Sequence, residues 1–215
     1  MHRRSLYHSF IIELEGLCVK KHMKVNKLFR VIISNFRVLI ERIKGHSVTT
    51  KSIKLLLSPK TEISIRDNGR LEMGIRTKTQ TGVYLGVRKN AVLHIGDYVG
   101  INRNTCIIAH ERIHIGDNVI IAPNVCIYDH DHGIKDRDNY ITKPIIINSG
   151  TWIGANTVIL KGVTIGSNCI IGAGSIVTQD IPDNTIMYQK RESVLKMITT
   201  PLSIQDNNET VEKED

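Results

Sequence analysis

Aromatic side chains are scarce in this chain: they make up 5% of 215 residues, and there is a single Trp, Trp152. A core this poor in rings has to be built from aliphatic groups, chiefly Ile and Val. No stretch approaches the roughly 18 consecutive apolar residues of a membrane span, so an integral membrane protein is not expected. The four cysteines, Cys18, Cys106, Cys126 and Cys169, stand too far apart for a zinc knuckle or a C-x-x-C pair. With no cleavable signal peptide before them, they read as reduced thiols of a cytoplasmic protein. At 41% hydrophobic composition the chain can nevertheless bury a real core.

The net charge of +8 is confined to one place. Residues 1–51 hold eleven Lys and Arg against Glu13, Glu15 and Glu41, whereas the remaining 164 residues hold eighteen of each sign. A nucleic-acid role would have to reside in that first quarter alone, and none is expected. Residues 1–50 read as a basic, amphipathic helical segment. From Lys27 to Lys44 the set Leu28, Val31, Ile32, Phe36, Leu39, Ile40 and Ile43 recurs at three- and four-residue steps, with Arg30, Asn35, Arg37, Glu41 and Arg42 on the other face. Residues 5–18 form a weaker amphipathic stretch. Such helices pack on the main domain or a partner subunit, or lie on an anionic membrane surface. Gly45 to Lys51 reads as a linker.

Residues 51–185 form the main domain. From Ile63 short apolar pairs recur irregularly, and at Ile95 a strict period of six begins. Ile95, Ile101 and Ile107 lead the first hexads, Ile115, Ile121 and Ile127 the next, and Ile147, Ile153, Ile159, Ile165, Ile171 and Val177 an unbroken run. A period of six is neither helical nor simple alternation. If each hexad is a short strand plus a corner, three hexads close a triangular coil, and stacked coils form parallel sheets with the lead residue inside. The second position is often Gly (Gly96, Gly116, Gly154, Gly166, Gly172), which suits a tight corner or unusual backbone angles. The fifth is small or β-branched, as a crowded interior corner requires. Cys106, Cys126 and Cys169 fall inside this pattern as packing residues.

Since the repeat positions serve packing, the chemistry must come from what interrupts them. The largest interruption, residues 129–144, is a polar loop with two histidines, His130 and His132, ending at Pro144. In an extended strand these two share a face. Near neutral pH a histidine can take the proton of a hydroxyl nucleophile, and Asp129 or Asp131 could orient it.

The stretches I-G-D-N-V-I-I-A-P-N-V, Y-D-H-D-H-G-I and W-I-G-A-N-T-V-I-L-K-G-V-T-I-G resemble the hexapeptide-repeat acyltransferases, and among them the sugar O-acetyltransferases, over about residues 60–185. The resemblance implies an all-β solenoid, a left-handed parallel β-helix with a protruding loop, which assembles as a homotrimer with its active sites between subunits. It implies transfer of acetyl from acetyl-CoA to a sugar hydroxyl, without a metal. By alignment with the family His132, followed by Gly133, is the base, and His130 is a substrate-binding or orienting group. Asn102 matches an acceptor-side Asn, and His110 stands where relatives carry an acidic acceptor-binding residue, so a simple maltose or galactoside acceptor is not expected. Trp152, Ala155, Ala173 and Thr178 match thioester and cofactor positions. Lys161 is a further cofactor candidate, and Lys190 and Arg191 could meet the cofactor phosphates. The basic N-terminus beside such an enzyme suggests a capsule or lipopolysaccharide glycan or its precursor, modified at the inner membrane face. The alternatives are a γ-carbonic-anhydrase-like zinc enzyme using His110, His130 and His132, a nucleotide-sugar N-acyltransferase, and a non-catalytic scaffold. Residues 186–215 form an extension ending in an acidic tail, expected to be disordered.

Overall fold

The computed structural model describes residues 28–190 except 53, 135, 137 and 138, together with residue 192. The expectations placed on residues 5–18, on Cys18, on Arg191 and on the acidic tail fall outside the described residues.

The main domain is a parallel β-solenoid of three six-stranded sheets, each strand pairing with its counterpart one turn away. Face one stacks Ser47–Thr50, Arg70–Met73, Val92–Ile95, Arg112–Ile115, Ile145–Ile147 and Thr164–Ile165. Face two runs from Lys78–Thr79 through Gly100–Ile101, Ile120–Ile121, Trp152–Ile153 and Ile170–Ile171 to Ile186–Met187, and face three from Glu62–Ile65 to Ile176–Val177. Ser47–Thr50, in the segment expected to be a linker, is therefore the first strand of face one, in register with Arg70–Met73. The strand forms because Val48 is drawn into the end of the core.

The lead residues of the hexads all lie inside the prism with at most 1% of their surface exposed. Each contributes on the order of 1.5–3 kcal/mol of burial, and β-branching suits the pleated wall they form. The fifth positions (Val99, Thr105, Val119, Val125, Thr157, Val163, Cys169, Ser175) are buried beside them. Cys106 and Cys126 stand in register on the outer side of face three, and burial pushes the Cys106 thiol above its ordinary pKa, which suits packing rather than reactivity.

Of the two roles expected for the second-position glycines, the tight corner holds and the unusual backbone angle does not. The second-position glycines keep negative φ, and the left-handed residue is the fourth of the hexad: Asn104, Asn118, Asn124, Asn156 and Asn168 with φ between 55° and 57°, or Gly150, Gly162 and Gly174. Asn tolerates this region better than other non-glycine residues. The second-position glycine is needed for closeness instead. A Cβ on Gly154 would lie 2.6 Å from the Ala173 nitrogen, and one on Gly96 would lie 2.6 Å from the Gly116 carbonyl carbon.

One helix, α1 (28–43), caps the open end of the solenoid. It does so with the face opposite to the expected one. Ser34 and Val38 are buried, and the Ser34 hydroxyl accepts the Leu57 N–H at 2.9 Å. The Arg30 guanidinium donates to the carbonyls of Leu56 and Thr79, each at 2.7 Å, and that of Arg37 to those of Ser58, Pro59 and Thr61. The first coil has no coil below it, so its carbonyls need donors, and arginine forks supply several at once. Among the described residues no helix is long and apolar enough to cross a membrane.

Candidate active site

The loop leaves the solenoid at the corner between faces three and one. In the coil stack Tyr128 pairs with Ile108, so Asp129 follows the course of Ala109 and its side chain turns inward. It is fully buried. Its carboxylate accepts the backbone N–H groups of His110, Glu111 and Arg112, each at 2.8 Å. The negative charge is thus held by three donors, and the loop root is latched to the coil beneath. The Nδ1 of His130 lies 3.3 Å from the same carboxylate.

Beyond this latch, His130–His132 and Tyr140–Thr142 form an antiparallel hairpin in which His132 faces Tyr140. Gly133 sits at its bend, where a Cβ would approach the Asp136 carbonyl to 2.5 Å. The ring of His110 stacks on His130 with centroids 3.8 Å apart and on Tyr140 at 4.1 Å, while Tyr140 also covers His132 at 4.7 Å. Asp131 turns away and pairs with Lys161 on the next coil. Of the two acids that the sequence left open, Asp129 is therefore the one beside an imidazole. The His130 side chain keeps 13% exposure, whereas His132 is open to solvent.

His110 is pushed down to about 4, chiefly because burial disfavours its charged form and then because His130 lies against it, with Asp129 opposing. His114, on face one, is displaced in the same direction by burial and by the stacked His94. A histidine held below its unfolded value of 6.5 binds fewer protons in the folded state, so its contribution to stability is full above pH 6.5 and is lost as pH falls toward 4. The melting temperature should therefore drop across that window. His110→Phe, which keeps a ring in the stack, should flatten the drop, and an unchanged slope in the variant would show that His110 does not carry it.

The remaining candidates separate by corner. Lys161 and Thr178 stand with the histidines between faces three and one. Asn102, Ala155 and Ala173 stand at the next corner, between faces two and three, and Trp152 projects from face two in one column with Ile120 and Ile170. Lys190 is exposed beyond the last strand of face two. Asn102 and Trp152 are thus not brought to the histidines within one chain. Tyr140 was missed by sequence reasoning because no periodicity marks it, and only the hairpin register places it over the imidazoles. Among the described residues no group of three or more His, Cys, Asp or Glu side chains is arranged to hold a metal ion. The His110 and His130 rings pack on one another instead, tilted by 32°.

Residues 144–179, the coils above the loop, match the family model described as bacterial transferase hexapeptide (six repeats). The chain carries the bacterial transferase hexapeptide repeat. Hexapeptide repeats of this kind fit a left-handed β-helix, which gives the three faces their hand. The hexapeptide chain is 49% identical over 55 residues to a galactoside O-acetyltransferase of Escherichia coli, covering 26% of this chain and 27% of that one. It is 28% identical over 145 residues to a putative lipopolysaccharide biosynthesis O-acetyl transferase of the same organism, covering 61% and 74%. It spans about a quarter of the length of the curated galactoside acetyltransferases it matches. Among solved structures, AntD, an N-acyltransferase from Bacillus cereus in complex with dTDP and 3-hydroxybutyryl-CoA, shares the fold with a TM-score of 0.57 at 23% identity, over 67% of this chain and 79% of AntD.

Proposed function

We propose that this hexapeptide-repeat protein is an acyltransferase that moves the acetyl group of acetyl-CoA onto a sugar hydroxyl of a glycan, a capsule or lipopolysaccharide polysaccharide or its precursor, at the cytoplasmic face of the membrane. The observation that carries the reading is the cluster of His130, His132 and Tyr140 on a latched hairpin with His110 of the coil beneath, at one corner of the solenoid. The names of the relatives, O-acetyltransferases of sugars and one of lipopolysaccharide biosynthesis, point the same way.

In the proposed chemistry His132, open to an incoming acceptor, takes the hydroxyl proton as the oxygen attacks the thioester carbonyl. The tetrahedral intermediate collapses, the carbon–sulfur bond breaks, and the thiolate of coenzyme A takes the proton back from the imidazolium. An O-acetyl ester and free coenzyme A result. His130, held by Asp129, keeps the hairpin and the acceptor in place, and His110 stays neutral beside them. The cofactor arm is assigned to Trp152, Ala155, Ala173 and Thr178, with Lys161, Lys190 and Arg191 on its charged groups and Asn102 and His110 on the acceptor side. The division of these residues between two corners supports an active site shared by neighbouring copies in a homotrimer. The exposed column of Ile120, Trp152, Ile170 and Ile186 supports face two as the contact. An N-acyl acceptor, an amino sugar on a nucleotide such as the dTDP-4-amino-4,6-dideoxyglucose held in an AntD variant, is the second reading.

Labelled acetyl-CoA should pass its label to a bacterial glycan or precursor as a base-labile ester, from a particle whose mass by light scattering is about three times 24.2 kDa. Label on an amino sugar as a stable amide would select the second reading. A monomer with full activity would overturn the shared site.

A further inference from the structure

The cap helix presents its apolar side outward. Leu28, Ile32, Phe36, Leu39 and Ile43 follow one another at steps of four, four, three and four, which places them on one narrow arc. All five are between 51% and 75% exposed. The opposite arc is committed to the solenoid through Arg30, Ser34 and Arg37. The helix therefore cannot turn its apolar side inward without breaking those hydrogen bonds. A five-residue aliphatic and aromatic stripe is held rigidly at the blunt end of the molecule, and packing within the described chain does not cover it.

What lies beside the stripe points to its occupant. On the flank of α1 a groove of about 160 Å³ is lined by Val31 and Leu56 below and by Lys54 and Arg76 at the rim, with no acid among them. The one acid of the helix, Glu41, is already paired with His46 and Lys44. In sequence, Lys20, Lys21, Lys24 and Lys27 lead directly into the helix, and residues 1–51 hold the entire net charge of +8. A second copy of this end, or residues 1–27 folded back onto it, would set positive charge against positive charge. An anionic surface with an apolar interior meets both features at once.

We propose that α1 is the membrane-docking surface of the protein. The stripe lies in the interfacial region of an anionic bilayer, and Lys54 and Arg76 receive a lipid phosphate in the flanking groove. This deepens the reading of a glycan acetyltransferase at the membrane and rests on it. The end of the solenoid that α1 caps faces the lipid, and the loop corner stands above it where a lipid-linked acceptor projects.

The full-length protein is mixed with vesicles of phosphatidylcholine, with and without phosphatidylglycerol, and bound protein is measured by flotation. The wild type should bind the anionic vesicles, less so as salt rises. The double variant Ile32→Ser/Phe36→Ser should lower the partition coefficient by about ten- to a hundredfold, since both side chains leave the interface. Lys54→Gln/Arg76→Gln should remove most of the preference for anionic over neutral vesicles. Acetyl transfer to a water-soluble acceptor should be unchanged in both variants, so a failure of the catalytic reading shows itself separately as no transfer in any protein. Wild type that stays off anionic vesicles, or a stripe variant that binds as wild type does, overturns the proposal. A stripe variant whose particle mass falls overturns it in favour of a contact between copies. Stronger vesicle binding after removal of residues 1–27 overturns it in favour of those residues as the native cover.

Discussion

His132→Ala should lower kcat for acetyl transfer by about a hundred- to ten-thousand-fold, the usual effect of removing a positioned general base. Under the proposed chemistry the acceptor hydroxyl then has to lose its proton to water as it attacks the thioester. The fold should survive, because His132 stands on the exposed hairpin and takes no part in the stacked Ile and Val interior. The Kd for acetyl-CoA should change little, since the cofactor arm is assigned to the later coils. His130→Ala should be milder and act chiefly through the acceptor KM. Its ring packs on His110 and meets Tyr140 only edge-on at 5.5 Å, with its Nδ1 on Asp129, a placement suited to holding rather than to proton transfer. Measuring kcat, acceptor KM and acetyl-CoA Kd for both variants separates the roles. Near-normal kcat in His132→Ala with a dead His130→Ala reverses the assignment. Full activity in both removes the loop from the chemistry.

Asp129→Ala should produce the largest loss of stability of any single change at the site, about 3–5 kcal/mol, because unsatisfied buried donors cost about 1–3 kcal/mol each and water can enter part of the vacated space. The N–H groups of His110, Glu111 and Arg112 would all lose their acceptor, and His130 its carboxylate neighbour. Asp129→Asn should fall between, as its amide oxygen can still accept while its NH₂ opposes one donor. Urea midpoints for the three proteins test the order. The same substitution should lower kcat at temperatures where the protein remains folded, because the hairpin root is no longer latched to the coil beneath. An Asp129→Ala protein that melts with the wild type would show the latch to be dispensable.

The repeat was legible because its physical cause is local and recurrent. Every sixth side chain enters the same narrow interior, so Ile101, Ile121, Ile153 and Ile171 had to be alike, and the three-sided coil follows from their period. The corner residues were half legible. The glycines after each lead residue stand out in sequence, but whether they serve backbone angle or close approach depends on the neighbouring coil, which is remote in the chain. Gly154, for example, meets Ala173 there. The asparagines that do take the left-handed angle were visible as letters without a stated purpose.

The loop shows the same division. Its polarity and its two histidines mark it in the sequence, and their spacing by two residues matches the strand in which they lie. The sequence grouped His110 with them only as a would-be zinc set, and the ring contact that joins it to His130 could not be read, because it depends on stacking across a coil twenty residues away. Nor could the choice between Asp129 and Asp131. Two acids two apart look alike in sequence, and only the register of Asp129 over Ala109 sends one inward to the backbone donors while the other reaches Lys161.

By itself the sequence determined the repeating coil, its aliphatic interior, the position of the interrupting loop and the presence of an amphipathic helix, all of them consequences of spacing along the chain. Only the tertiary structure decided which side of that helix faces in. Hydrophobic periodicity predicts burial of Leu28, Ile32 and Phe36, yet the open end of a solenoid presents carbonyls rather than apolar side chains. Satisfying those carbonyls with Arg30 and Arg37, and the Leu57 N–H with Ser34, turned the polar face inward and left the apolar one outside.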